Sequence, residues 1–252
     1  MDGFLKDKLI VIMGITNERS IAWGCAQEIL AQGGKVIATY QNDRIMKSIK
    51  RFIPKEIDIF ECDVSKDENI FNLFKNIGEK YGKIDGIIHA IAYADKQSLK
   101  DGLINITREG YELAQSISSY SLIPVAKYAQ PILSDSSSIM TLTYFGSSRA
   151  IPNYNVMGVA KAALEANVRY LAEELGMKGI RVNAISAGAV KTLAVTGIKN
   201  HEALLKESRM RTVDKKSVTT KEIGDAAAFL MSDLSSGITG DVIYVDKGVH
   251  LI

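Results

Sequence analysis

The sequence predicts an α/β fold of one domain, residues 1–252, in which a doubly wound parallel sheet of about seven strands carries helices on both faces. Three observations lead to it. Short apolar runs rich in isoleucine and valine alternate with longer segments of helical periodicity, the pattern of repeated strand-helix units. The 252 residues, 46% of them hydrophobic, suffice for one large core. Only four prolines occur (Pro54, Pro124, Pro131, Pro152), and no Pro-, Ser- or Gly-rich stretch reads as a linker.

The elements follow in order. A strand from Leu9 to Met13 leads to a helix from Ile21 to Gln32, closed by Gly33 and Gly34, which enter the left-handed region without a Cβ penalty. Strands are expected at Lys35 to Tyr40 and Ile57 to Cys62, then a helix at Asp67 to Tyr81 and a strand at Gly86 to Ala92. A long helical pattern from Arg108 to Leu133 precedes a strand at Ser138 to Thr143. Ile151 before Pro152 is biased away from helix, so the next helix should begin near Asn153 and run to Met177. Strands at Arg181 to Ser186 and Val242 to Val245 flank a helix at Lys221 to Ser232. Residues 190–216 break the alternation: they hold helix-like patches but no clear strand, and a connection that long inside a domain reads as a lid over a binding site.

Composition excludes several classes. Lys and Arg number 31 against 29 Asp and Glu, so a net charge of +2 gives no reason to expect nucleic acid or an anionic membrane. Two cysteines, Cys25 and Cys62, are too few for a disulfide framework and suit small apolar packing. Met1 to Lys8 has no long apolar segment of the signal-peptide kind, and no apolar run is long enough to span a bilayer, so a cytoplasmic protein is expected. His89, His201 and His250 lack ligand-like spacing, so no metal is expected. Trp23 is assigned to packing of helix on sheet.

The segment after the first strand, Gly14-Ile-Thr-Asn-Glu-Arg-Ser20-Ile21-Ala-Trp-Gly24, lies where a dinucleotide fold turns its backbone N–H groups toward a pyrophosphate. It lacks G-x-G-x-x-G, so a plain strand-turn-helix with an N-cap serine competes with cofactor binding. Gly14 can make the tight turn, and Ser20 can cap the helix and donate to phosphate. Polar and small residues recur at later strand ends: Tyr40-Gln41-Asn42-Asp43-Arg44 where the adenine ribose would lie, Cys62-Asp63-Val64 near the adenine, and His89-Ala90-Ile91-Ala92. They form one crevice at the carboxyl ends of the strands. Asp63 has a second reading, as the cap of the following helix. Gln41 precedes both Asp43 and Arg44, and the balance favours NADH over NADPH.

The fifth strand runs into Tyr144, and the next helix carries Tyr154 and Lys161. Seven residues are two helical turns, so this pair shares one face, about 10 Å apart along the axis. A phenol and an ammonium so placed are an acid and its electrostatic support, suited to an oxyanion.

These residues give the chain a resemblance to the short-chain dehydrogenase/reductase superfamily, and within it to the bacterial enoyl-acyl-carrier-protein reductases. Ordinary members place a tyrosine four residues before the lysine and a serine about thirteen before that tyrosine; here those positions hold Met157 and Tyr144. The enoyl reductase pattern, Tyr-x6-Lys with a second tyrosine upstream, is complete. Further matches are Tyr40-Gln-Asn-Asp43, Ile117-Ser-Ser-Tyr-Ser121, Arg149-Ala-Ile-Pro-Asn-Tyr-Asn-Val-Met-Gly158, Arg181-Val-Asn-Ala-Ile-Ser-Ala-Gly188 and Thr239-Gly-Asp-Val-Ile-Tyr-Val-Asp246.

The resemblance implies NADH-dependent reduction of the double bond of enoyl thioesters on acyl carrier protein. It implies active-site roles for Tyr144 and Tyr154 and a ribose-holding role for Lys161. It also implies cofactor contacts at Gly14, Ser20, Ile21, Gln41, Asp63, Val64, Ile91, Lys161, Val190, Lys191, Thr192, Leu193 and Ala194, substrate contact at Ala94, Tyr144 and Tyr154, and a homotetramer. Tyr144 is either a wall of the acyl pocket or a participant in the chemistry. Ala92 stands where the family often has glycine and narrows the room near the nicotinamide; Ala189 stands where it often has proline and loosens the lid entrance. The basic edge of the lid, with Lys199, Lys206, Arg209, Arg211, Lys215 and Lys216, is either a docking surface for an acidic carrier protein or a solvated face. Two rival readings remain, a ketone or alcohol oxidoreductase and a non-catalytic dinucleotide sensor.

Overall fold

The computed structural model describes residues 3–100, 102–192, 195 and 201–251. Seven strands form one parallel sheet: β1 (Leu9–Met13), β2 (Lys35–Tyr40), β3 (Ile59–Glu61), β4 (Ile84–His89), β5 (Leu133–Thr143), β6 (Arg181–Ala187) and β7 (Val242–Val245), in the order β3-β2-β1-β4-β5-β6-β7. This is the doubly wound Rossmann-like arrangement that the alternating pattern predicts, with its reversal of strand order between β1 and β4.

Helices α1 (Ile21–Ala31), α2 (Asp43–Ile49), α3 (Asp67–Tyr81), α4 (Lys96–Lys100), α5 (Arg108–Gln115), α6 (Leu122–Ala129), α7 (Asn155–Gly176), α8 (His201–Arg211) and α9 (Thr220–Met231) connect the strands. Alternating strand residues divide the core between two faces. Val11, Ile87 and Ile139 pack with Phe74 of α3, Val125 of α6 and Leu164 of α7. Ile10, Ile12 and Ile88 pack with Cys25 and Ile29 of α1 and Ile223 of α9. Each such side chain, fully removed from water, contributes about 1.5–3 kcal/mol. Both thiols are buried, which pushes each up to about 12 and leaves it a packing group. Trp23 sits in the α1 core and meets Phe52 edge-on, 5.1 Å between ring centres.

Departures from the expected boundaries have local causes. β4 stops at His89: Ala90 N–H still donates to Met13 O at 3.1 Å, and the chain then leaves the sheet. β5 begins at Leu133, which periodicity gives to the preceding helix; Ser136 at φ +61° and a register shift against β4 mark an irregular entry. The single helix expected over Arg108 to Leu133 is interrupted by a π-turn, Ser116–Tyr120, closed by Ser121 N–H to Ser116 O. α7 begins at Asn155, because Asn153 and Asn155 hold φ of +63° and +41° on either side of Tyr154. α2 was hidden by a double meaning: Asn42, read as a cofactor-side polar residue, is the N-cap and accepts from Ile45 N–H at 3.2 Å. Helix α8 occupies part of the 190–216 stretch.

Candidate active site

The carboxyl ends of β1 to β6 open on one rim. At its centre Gly14 adopts φ +97°, and a Cβ there would lie 2.1 Å from Ala90 O, so only glycine lets the β1–α1 turn press against β4. Ser20 caps α1, accepting from Trp23 N–H at 3.2 Å, and gives its own proton to Asn17 O at 2.8 Å. Its hydroxyl must rotate before it can donate to a phosphate. Ile21 opens α1, whose first turn carries no acidic residue, so its outward N–H groups present an uncompensated positive pole. This turn fits a dinucleotide pyrophosphate.

Further along the rim, Gln41 Nε2 donates to Asp63 Oδ1 at 3.5 Å, which brings the two expected adenosine-side residues together. Asp63 does not cap the next helix; Lys66 holds that position, and Asp63 accepts from Ser65 N–H at 3.1 Å instead. Val64 is buried beside it, and Ile91 and Ala94 are half-buried in the segment after β4. Val190 and Lys191 line a cavity of about 670 Å³ together with Arg19, Lys206 and Arg209, and Thr192 is buried behind them. Leu193, Ala194 and Lys199 lie outside the described residues.

Tyr144 and Tyr154 meet edge to face with ring centres 5.0 Å apart, one from the end of β5 and the other from the N-cap of α7. Lys161 is 5% exposed, and its Nζ donates to Leu142 O at 2.7 Å, two residues before Tyr144. Its remaining donors are free for another partner. The three expected chemical residues therefore share the β5 end of the rim.

Electrostatics sets their protonation. Burial pushes the Tyr154 phenol far above its ordinary range, and neighbouring Tyr144 and Glu165 add to the effect. Burial raises Tyr144 to about 12, opposed by Arg211 and reinforced by Glu207 and Asp246. Both phenols are neutral O–H donors at neutral pH. Lys161 is lowered to about 8 by burial, with Glu165 acting the other way. Glu165 itself accepts from Thr143 Oγ1 at 2.6 Å.

A second cavity, about 410 Å³, lies between Tyr144, Ile151 and Pro152 on one side and Ala203, Leu204 and Arg211 of α8 on the other. Arg211 also stacks over Phe145, 5.8 Å from its ring centre. α8 thus stands between the two cavities. Sequence reasoning missed Glu165, the place of Arg211 beside Tyr144, and Gly146, on which both tyrosine rings rest. Asn153 and Asn155 carried a usable signal, since asparagine tolerates the left-handed region that frames Tyr154. Among the described residues no His, Cys, Asp and Glu group could hold a metal, and no helix is long and apolar enough to cross a membrane.

Comparison with known proteins gives one consistent result. A family model described as enoyl-(acyl carrier protein) reductase matches residues 14–250. The chain is 54% identical to the enoyl-acyl-carrier-protein reductase (NADH) of Enterococcus faecalis over 98% of its own length and 99% of that protein. It is 46% identical to the NADPH enzyme of Staphylococcus aureus over 98% of each chain. Its structure superposes on the NADH enzyme of Aquifex aeolicus VF5 with a TM-score of 0.95 at 41% identity, covering 99% of both chains.

Proposed function

This chain belongs to the enoyl-(acyl carrier protein) reductase family of short-chain dehydrogenases/reductases, and on that premise we propose that Tyr154 is its oxyanion donor, Lys161 its ribose anchor and Tyr144 a wall of its acyl pocket. The reaction is NADH-dependent reduction of the trans-2,3 double bond of an enoyl thioester on acyl carrier protein, the last step of fatty-acid elongation. The observation that carries the residue assignment is the packing of Tyr144 against Tyr154 at the same strand end where Lys161 Nζ is anchored.

NADH, when bound, supplies the hydride that adds to the β-carbon. Electron density then moves to the thioester oxygen, and a donor aimed at that oxygen lowers the barrier; the enolate is completed by a proton taken up from solvent at the α-carbon, which restores the thioester carbonyl. The Tyr154 O–H is neutral and shielded, so it donates without losing its proton. Lys161 holds the nicotinamide ribose hydroxyls and adds positive potential. Gly14, Ser20, Ile21, Val190, Lys191 and Thr192, with Leu193 and Ala194, hold the pyrophosphate and nicotinamide side; Gln41, Asp63, Val64 and Ile91 hold the adenosine side and the floor. Ala94 meets the acyl chain.

The test is oxidation of NADH by crotonyl thioester, followed by nicotinamide absorbance across pH. Turnover is expected to fall as pH rises through about 8, where Lys161 loses its charge. The fall is not unfolding by this group. An unfolded lysine near 10.5 binds more protons than the folded one between about 8 and 10.5, so its contribution to stability rises there. A basic limb well above pH 10 would shift the titrating role to a phenol. Reduction of a short ketone in place of the thioester, or cofactor binding without turnover, would favour the rival readings.

Residues 190–216 act as the lid, with α8 as its helix, closing between the two cavities to exclude water. The basic edge formed with Lys206 and Arg209 steers the acidic carrier. Reversing both charges is expected to slow carrier-linked turnover and flatten its salt dependence far more than it changes turnover of a short neutral crotonyl thioester at saturating NADH; unchanged salt dependence would reduce this edge to a solvated face. We read the protein as a cytoplasmic homotetramer; self-association is supported by exposed apolar side chains on α5 to α7, among them Tyr111, Ile123 and Tyr170, and by Tyr244 on edge strand β7.

A further inference from the structure

We propose that Ser118 is a positioning residue for the acyl site, fixing both backbone polar groups of Tyr93 through one hydroxyl and so setting the wall between Ile91 and Ala94. The proposal rests on the reading above, in which Ile91 faces the cofactor and Ala94 the acyl chain.

The segment from Ala90 to Asp95 has no regular structure, and Ala92 and Tyr93 are exposed. Past Ala90, whose N–H donates to Met13 O, no backbone-to-backbone hydrogen bond among the described residues holds it. Ser118 lies in the π-turn beneath it, fully buried, where its Oγ accepts from Tyr93 N–H at 2.8 Å and donates to Tyr93 O at 2.9 Å. One hydroxyl thereby satisfies a donor and an acceptor of the same residue. The same Oγ lies 3.7 Å from Met157 Sδ, on the helix that presents Tyr154 and Lys161.

A positioning group is only as good as its own mounting. The π-turn is tied on two further sides. Pro124 has no N–H to give back to the turn, and the Ser119 carbonyl and hydroxyl accept from Asn167 Nδ2 of α7 at 3.2 and 3.1 Å. Ser121 Oγ donates to Ile117 O at 2.7 Å and lies 2.9 Å from His89 Nε2 at the end of β4. His89 Nδ1 meets Thr141 Oγ1 of β5 at 3.0 Å. Burial, helped by Lys161, lowers His89 to about 3, so this strut stays neutral through the working pH range. The π-turn and its C-cap residue Ser121 thus present three serines to three neighbours: the wall, the tyrosine-bearing helix and the sheet.

Ser118→Ala and the near-isosteric Ser118→Cys are compared with wild type by crotonyl thioester kinetics, NADH titration and thermal melting. The expected result for both is a fall in kcat/KM of about 10- to 100-fold, carried mainly by KM for the thioester, at wild-type NADH affinity. Wild-type kinetics in either variant overturns the proposal. So does loss of NADH affinity in proportion to thioester turnover, or failure of both variants to fold, since each marks a purely structural role. Ala94→Leu separates the two levels. If it leaves thioester KM unchanged, the placement of the acyl site is wrong; if it raises KM while the Ser118 variants do not, the positioning role alone is wrong.

Discussion

A Tyr154→Phe enzyme is expected to bind NADH as the wild type does and to turn over crotonyl thioester roughly 100- to 1000-fold more slowly, the effect of one lost oxyanion donor at about 3–4 kcal/mol. The substitution is clean because the ring has work of its own. It packs edge to face on Tyr144 and against Gly146, and phenylalanine keeps both contacts. What goes is a hydroxyl held neutral by burial, and only the transition state, with its charge on the thioester oxygen, feels the loss fully. kcat should therefore fall while thioester KM moves little. Tyr144→Phe is the internal control: a wall residue keeps its ring, so its loss should be much smaller. Equal losses in the two variants would mean that Tyr144 shares the donor role, and wild-type turnover in Tyr154→Phe would remove Tyr154 from it.

The sheet was legible because its signal is strong and local. Buried parallel strands are largely apolar, and Leu9–Met13 and Lys35–Tyr40 appear where the apolar runs lie; Val242–Val245, on the sheet's edge and only partly buried, keeps the same apolar run. The Tyr144, Tyr154 and Lys161 group was legible from the strand end and the motif spacing, but not for the reason of a shared helical face: Tyr154 stands before α7 at its N-cap, between two asparagines in the left-handed region, and meets Tyr144 from there. What escaped depends on contacts that periodicity does not encode. A π-turn adds one residue to a helix whose apolar pattern continues on both sides, so Ser116–Tyr120 read as unbroken helix. Asn42 carries one polar signature for two jobs, cap and ligand contact, and the choice hid α2. Glu165 lies one turn beyond Lys161 on an otherwise ordinary helix face; only the hydrogen bond from Thr143 shows that it is turned inward.

Gly146→Ala is expected to cost about 100-fold in kcat/KM although it removes no functional group. Gly146 sits in the single turn Phe145–Ser147 between the two tyrosines, and its φ is not in the left-handed region, so alanine brings no backbone strain. The new methyl would instead lie 2.7 Å from Tyr154 Cδ1, 3.0 Å from Cε1 and 3.1 Å from Tyr144 Cδ1. Ring atoms do not tolerate such contacts, so both rings must shift, and the Tyr154 hydroxyl at the end of the lever moves with them. Relief by backward motion is blocked, because Gly146 O already fills the place a Cβ on Gly158 would take, 2.7 Å from that carbon. The melting temperature should fall only modestly, because the rings are half-open to the rim and can yield toward it. Combining Gly146→Ala with Tyr154→Phe tests the route of the effect. If the methyl acts by displacing the hydroxyl, it should cost little once the hydroxyl is gone, so the double variant should match Tyr154→Phe. Full additivity of the two losses would place the damage elsewhere in the pocket.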